Sequence, residues 1–362
     1  MVSAVQNEYV PDYVSPPGET LLETIETLGM TQAELAERTG RPTKTISEII
    51  KGKAAITPET ALQLEKVLGV PASFWTNREQ HYRESLARQG EQVVLGQQTD
   101  WLTGLPIAAM CKKGWISRFE NEVQQLQEVL RFFGVASPQA WNEIWCGPQV
   151  VYRESRAFES DPGAVAAWLR KGEITAQSIQ CETYDQLRFR DTLRKIRALT
   201  LEKPDVFQPT LAKTCASVGV AIAFVPELPK ARVCGATRWL TPIKALIQLS
   251  LRYKTNDHLW FTFFHEAGHI MLHGKRDVFI ESDDDNGSEE TAADRFAENF
   301  LIPRDRYDAF AKREVFSETT VRQFAGEIGI APGIVVGRLQ HDGKLPRTHL
   351  NRLKEHYHWV GG

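Results

Sequence analysis

The sequence is poor in several features that would commit it to large classes of protein. Cysteine is sparse and odd in number, five in 362 residues (Cys111, Cys146, Cys181, Cys215, Cys234). None forms the close pairs that thiolate zinc sites or secreted disulfide frameworks use, so buried free thiols are expected. Long apolar runs are missing: the longest, VGVAIAFV, falls far short of the ~20 residues a membrane-spanning helix needs. The opening MVSAVQNEYVPDYVSPPGET has no basic stretch leading into an apolar run, so no secretory leader and a cytoplasmic location are expected. Positive charge is not in excess. With a net charge of -3 the chain has no uniformly basic surface, and any nucleic-acid contact must be local. Internal repeats, low-complexity tracts and a phosphate-cradling glycine loop are absent too. What remains, 42% hydrophobic and 25% charged, reads as a soluble globular chain of two or three domains.

From Gly29 the stretch GMTQAELAERTGRPTKTISEIIKGKAAITPETALQLEKVLGVPASFW spaces its apolar residues for several short helices broken at Gly40, Gly52 and Gly69. Thr31 and Glu34 fit a capping box at the start of a helix from about Gln32 to Arg38. Thr39-Gly40-Arg41 makes a tight turn, and Pro42 at a first helical position opens a second helix with Ile46, Ile49 and Ile50 turned inward. Its outer face carries Thr43, Lys44, Thr45, Ser47, Glu48 and Lys51. Short hydroxyls with lysines suit a recognition helix, because bases are read by hydrogen bonds and phosphates by charge. Gln32, near a helix N-terminus, adds a candidate phosphate contact, and Arg41, Lys44, Lys51 and Lys53 form a local basic cluster. At these residues the chain resembles the Xre-type helix-turn-helix of HigA antitoxins, from PPGETLLETIETLGMTQAELAERTG through IIKGKAAITPETALQLEKVLGVPASFW. The resemblance implies sequence-specific binding to double-stranded DNA, as a homodimer on a palindromic operator.

Residues 84 to about 200 show helical spacing, as in WISRFENEVQQLQEVLRFFG and DPGAVAAWLRKG, where Asp161-Pro162 marks a helix start and Gly172 a plausible end. Arg153, Arg156, Arg170, Arg188, Arg190, Arg194 and Arg197 are interleaved with acids and read as a solvated helical face. Three β-rich segments follow, GVAIAFV, VCGATRWL and ALIQLSL.

A helix then begins near Asn256 or Asp257 and runs through DHLWFTFFHEAGHIMLHG to Gly274. His265, His269 and His273 share one face, a turn apart at each step. Two imidazoles a turn apart can direct nitrogens to one tetrahedral zinc at ~2.0–2.1 Å, while Glu266, rotated by ~100°, can act on water. His273 lies ~11–12 Å along the axis from His265, too far to complete the set, and is assigned a packing or supporting contact. Downstream, GSEETAADRFAENFLIP reads as another helix. Glu290 as third ligand gives a His2Glu site, with Glu289 its nearest competitor, and Asp294 one turn on can hydrogen-bond the far nitrogen of His265. Arg238, Tyr253, Tyr307, Arg338 and His341 are candidates to stabilise an oxyanion. The acidic loop ESDDDNGSEE fails as a calcium loop, since its register puts Ser282 first and Ala293 last. The tail VRQFAGEIGIAPGIVVGRLQHDGKL reads as helix, glycine turn, helix.

The stretches FTFFHEAGHIMLHGK and EETAADRFAENFLIP resemble the ImmA/IrrE metallopeptidases, a gluzincin-like family, over roughly residues 205 to 345. Ala292 departs from the second acid that many relatives carry. The resemblance implies one zinc ion per chain and limited cleavage of a regulatory protein, commonly a helix-turn-helix repressor. The expected fold is mainly α with a small β-sheet (α+β). Its parts are a helix-turn-helix domain over 1–83, a helical connecting region over 84–200, a gluzincin-like zinc peptidase domain over 201–303 and a helical subdomain over 304–362. Function is expected to be transcription regulation coupled to proteolysis of a repressor or cognate toxin, with no membrane partner. The alternatives are an antitoxin or autorepressor whose metallopeptidase-like domain only binds a toxin, and a metal or stress sensor without hydrolysis.

Overall fold

The computed structural model describes residues 14–145, 161–274, 278–280, 288–313 and 315–359. Cys146, Arg153, Arg156 and most of the acidic loop lie outside them. The chain divides into two compact units, residues 1–98 and 99–362. Among the described residues no helix is long and apolar enough to cross a membrane.

The first unit is helical: α1 (Pro17–Thr27), α2 (Gln32–Thr39), α3 (Thr43–Ile50), α4 (Pro58–Leu68) and α5 (Ala72–Gly96). Its core collects one apolar stripe from each of these helices, with Leu21, Ile25, Leu35, Ile46, Ile49, Leu64 and Trp75 all buried. Burying each such side chain is worth about 1.5–3 kcal/mol relative to leaving it in water. Thr31 caps α2 by accepting from the Glu34 amide at 3.2 Å. The reciprocal half of the expected box does not form, because the Glu34 carboxylate pairs with Arg38 at 2.5 Å instead. Pro42 is the N-cap of α3, one position earlier than expected, and Ile50 is only half-buried.

The second unit contains α6 (Ile107–Lys112), α7 (Glu122–Phe133), α8 (Pro138–Trp145), α9 (Pro162–Gln177), α10 (Gln186–Ile196) and α11 (Pro204–Ala216). Next come β1 (Val220–Phe224), β2 (Gly235–Thr241), β3 (Lys244–Leu249), α12 (Asn256–Leu272), β4 (Val278–Ile280), α13 (Ser288–Leu301), α14 (Arg304–Ala311), α15 (Glu318–Ile328) and α16 (Pro332–His341). The four strands form one sheet in the order β1-β3-β2-β4. β1 runs parallel to β3, and β2 is antiparallel to both β3 and β4.

Because side chains alternate across a strand, the sheet serves two cores. Val220, Ile222, Ala245 and Ile247 face α10, α11 and α12. Ala221, Ala223, Ala236 and Leu246 face α7, α8 and α9, where the small alanines let Trp168 seat fully and donate from Nε1 to the Val225 carbonyl at 3.0 Å. α9 starts at the expected place, with Asp161 capping the Ala164 amide, but it continues past Gly172 to Gln177. Gly172 is a close-approach position rather than a helix stop: a Cβ there would lie 1.7 Å from Gln248 Oε1. Arg197 is likewise no solvated arginine. It donates to the carbonyls of Leu301 and Ile328 at 2.9 and 2.6 Å, joining the end of α10 to α13 and α15.

Candidate metal centre

The start of α12 is held from outside the helix. The Asn256 amide donates to the Glu355 carbonyl at 2.9 Å, Asn256 Oδ1 accepts from the Glu355 amide, and Lys354 pairs with Asp257 at 2.6 Å in a largely buried contact. Behind the helix Trp260, Phe263, Phe264, Ala267 and Ile270 fill the core. This fixed, apolar-backed cylinder carries His265, Glu266 and His269, at 2%, 0% and 1% exposure. α12 ends at Leu272 rather than at Gly274, and His273 turns into extended backbone with its Nδ1 3.0 Å from Nδ1 of His269.

α13 packs against α12 and presents Glu290 and Asp294, one turn apart, to the histidines. Nε2 of His265 lies 3.0 Å from Nε2 of His269 and 3.0 Å from Glu290 Oε2, and His269 Nε2 is 3.4 Å from that same oxygen. Asp294 Oδ1 is 2.9 Å from His265 Nδ1. Glu290, not Glu289, supplies the carboxylate to the cluster. The atoms expected to share an ion from the spacing alone are therefore within reach of one another.

Their chemistry fits a cation. A neutral imidazole has one N–H and one lone pair, and Asp294 fixes the proton of His265 on Nδ1, so its Nε2 lone pair faces the cluster. Two ring nitrogens and a carboxylate oxygen this close repel unless something positive sits among them. The edges of a tetrahedron with ~2.0–2.1 Å metal bonds are about 3.3–3.4 Å, near the spacings observed. Burial holds the His269 pKa below its usual 6.5, against the pull of Glu290, which favours the neutral ligand form. Burial alone would raise Glu290, but once the imidazoles are protonated, hydrogen bonds and charge from His265 and His269 outweigh it and hold the carboxyl down to about 2.

The Glu266 side chain lies close to β2. Thr237 Oγ1 donates to its main-chain carbonyl at 3.1 Å, and its side chain lies against Gly235. Neither Gly235 nor Thr237 was singled out by sequence reasoning. The usable signal was a glycine inside a strand pattern, which marks close approach of another group. Of the oxyanion candidates, Arg238 falls on the opposite sheet face from Thr237, 3.5 Å from Glu173 of α9. Tyr307 and Arg338 are engaged with Asp342 at 2.5 and 2.9 Å, and Arg338 also pairs with Glu298. His341 Nδ1 is 3.1 Å from Asp342 Oδ1, and Tyr253 stacks on His258.

In the first unit, Thr43 and Lys44 of α3 and Lys51 at its C-cap are exposed, and Thr45 and Ser47 are half-buried. Lys44 is loosely paired with Glu48 at 3.8 Å. Arg41 Nε donates to Gln63 Oε1 of α4 at 2.7 Å, which fixes the guanidinium beside the turn, and Gln32 sits half-buried at the first position of α2.

Comparison with known proteins follows this division. Residues 21–75 match the helix-turn-helix family, and residues 237–339 match a peptidase family described as the IrrE N-terminal-like domain. An uncharacterized HTH-type transcriptional regulator of Escherichia coli K12 is 34% identical over 61 residues, which are 17% of this chain and 65% of that protein. Virulence-associated protein A of Dichelobacter nodosus is 41% identical over 59 residues, 16% of this chain and 58% of that one. The chain thus spans under two thirds of the length of these relatives. A HigA-family addiction module antidote protein from Coxiella burnetii shares 30% identity, covering 23% of this chain and 92% of its own, with a TM-score of 0.22.

Proposed function

Because the chain joins an Xre-type helix-turn-helix to an IrrE-like peptidase-family domain, we propose that it is a DNA-binding transcriptional regulator carrying a zinc-dependent endopeptidase. The observation that carries this reading is the convergence of His265 Nε2, His269 Nε2 and Glu290 Oε2, with the buried carboxylate of Glu266 on the same helix. Two histidines and one carboxylate are the donor set of catalytic rather than closed structural zinc sites. A structural site would also have no use for an acid–base residue beside it.

When bound, zinc would supply a Lewis acid that polarises the scissile carbonyl. The chain's own residues do the rest. Glu266 takes a proton from the attacking water and delivers it to the leaving amide nitrogen, so the C–N bond breaks while the carboxylate returns to its starting state. Asp294 fixes the His265 tautomer and ring orientation. In the first unit Thr43, Lys44, Thr45 and Ser47 of α3 and Lys51 at its C-cap face the operator, with Gln32 and Arg41 flanking it, on a homodimer. The substrate is a regulatory protein, a repressor or a cognate toxin, so that its cleavage changes transcription.

Glu266→Gln tests this. The variant should keep one zinc per chain by elemental analysis and keep operator affinity, while cleavage of the partner protein in cells is lost. Unaltered partner processing would favour the alternative in which the domain binds a toxin or senses metal without hydrolysis.

A further inference from the structure

We propose, resting on the peptidase reading above, that Gly235 and Thr237 of β2 are positioning residues for Glu266: the strand, not the metal helix alone, sets where its carboxylate stands. Gly235 opens β2 opposite Leu249 of β3. A Cβ at this position would lie 2.7 Å from Glu266 Oε1 and 2.9 Å from its Cγ, and 2.5 Å from Thr262 Cγ2. Each of these separations is closer than non-bonded atoms tolerate, so the missing side chain is the hollow into which the glutamate fits. Two residues along the same strand face, the buried Thr237 hydroxyl donates to the Glu266 carbonyl.

Neither partner has room to retreat. β2 is hydrogen-bonded on one side to β3 and on the other to β4. α12 is backed by α13 and α16. A side chain at 235 is therefore accommodated by moving the carboxylate of Glu266. His265 and His269 point instead toward Glu290 and Asp294 of α13, so the ligand atoms stay where they are. The strand acts on the acid–base group and leaves the metal ligands alone.

The test is the double variant Gly235→Ala with Thr262→Ser, in the full chain. Thr262→Ser deletes the methyl that a new Cβ would strike, so that only the contact with Glu266 remains and folding is spared. Thr262→Ser alone is the control. The double variant should match this control in thermal midpoint and zinc stoichiometry. Acetohydroxamic acid is the probe: it chelates zinc through two oxygens and presents a hydroxyl to a neighbouring carboxylate. Its affinity for the zinc-loaded protein should fall about ten-fold or more, to the level of Glu266→Gln, and Thr237→Val should shift it in the same direction. A crystal structure of the metal-free double variant should show the Glu266 carboxylate displaced with both imidazoles in place. An unmoved carboxylate, parental hydroxamate affinity or loss of zinc from the double variant would each overturn the proposal. Failure of the parent protein to cleave any partner would instead remove the peptidase reading, and the crystallographic comparison would still decide the role of the strand.

Discussion

Asp294 Oδ1 stands against the outer nitrogen of His265, and so decides which ring nitrogen is left to face the cluster. Asp294→Ala should weaken zinc affinity about 10–100-fold, measured by competition with a chromophoric chelator; unchanged affinity would mean that the tautomer is fixed by something else. Protonation gives a second handle on the same atoms. His269 is held below 6.5 and Glu290 falls from 4.5 to about 2, so in both cases the folded chain binds fewer protons than the unfolded one. Stability of the metal-free protein is then full above pH 6.5. It is lost as pH falls below 6.5 through His269 and again between 4.5 and 2 as Glu290 takes up its proton. Urea midpoints at a series of pH values check this, and a flat profile across both windows would contradict it.

At the scale of elements, the helices were the legible part. α2, α9, α12, α13, α15 and α16 announce themselves by apolar spacing and by caps such as Thr31 and Asp161. What the sequence hides is long-range contact. Gly172 reads as a stop only when Gln248, distant in sequence, is ignored, and Arg197 reads as solvated only when the carbonyls of Leu301 and Ile328 are. β4, three residues long, carries too little periodicity to stand out. The histidine pair was readable because both residues sit on one helix, whereas the hollow at Gly235 belongs to a strand with no local link to them. Gly172→Ala should accordingly cost about 1–3 kcal/mol of stability by overpacking, read from urea unfolding, despite the higher helix propensity of alanine. On α3, Lys44→Ala with Lys51→Ala should weaken operator binding and reduce the slope of log affinity against log salt by about 1.8. An unaltered slope would remove the two lysines from the DNA contact.

At the scale of the whole molecule, the two units have separate cores, one within α1–α5 and the others on the two faces of the sheet. Zinc held by His265, His269 and Glu290 would stabilise only the unit that contains them. Calorimetry with and without a chelator should therefore move one unfolding transition down and leave the other in place; equal shifts in both would contradict independent cores. The attachment of Asn256 and Asp257 to Lys354 and Glu355 has a further consequence, felt while the protein is being made. A ribosome completes the histidine helix, which ends at Leu272, about eighty codons before it emits Lys354 and Glu355, the residues that clamp its first turn. Chains released in that interval, by a premature stop or a stalled message, would carry His265 and His269 on a helix with a frayed beginning. The late clamp thus makes the order of that first turn depend on residues synthesised well after it.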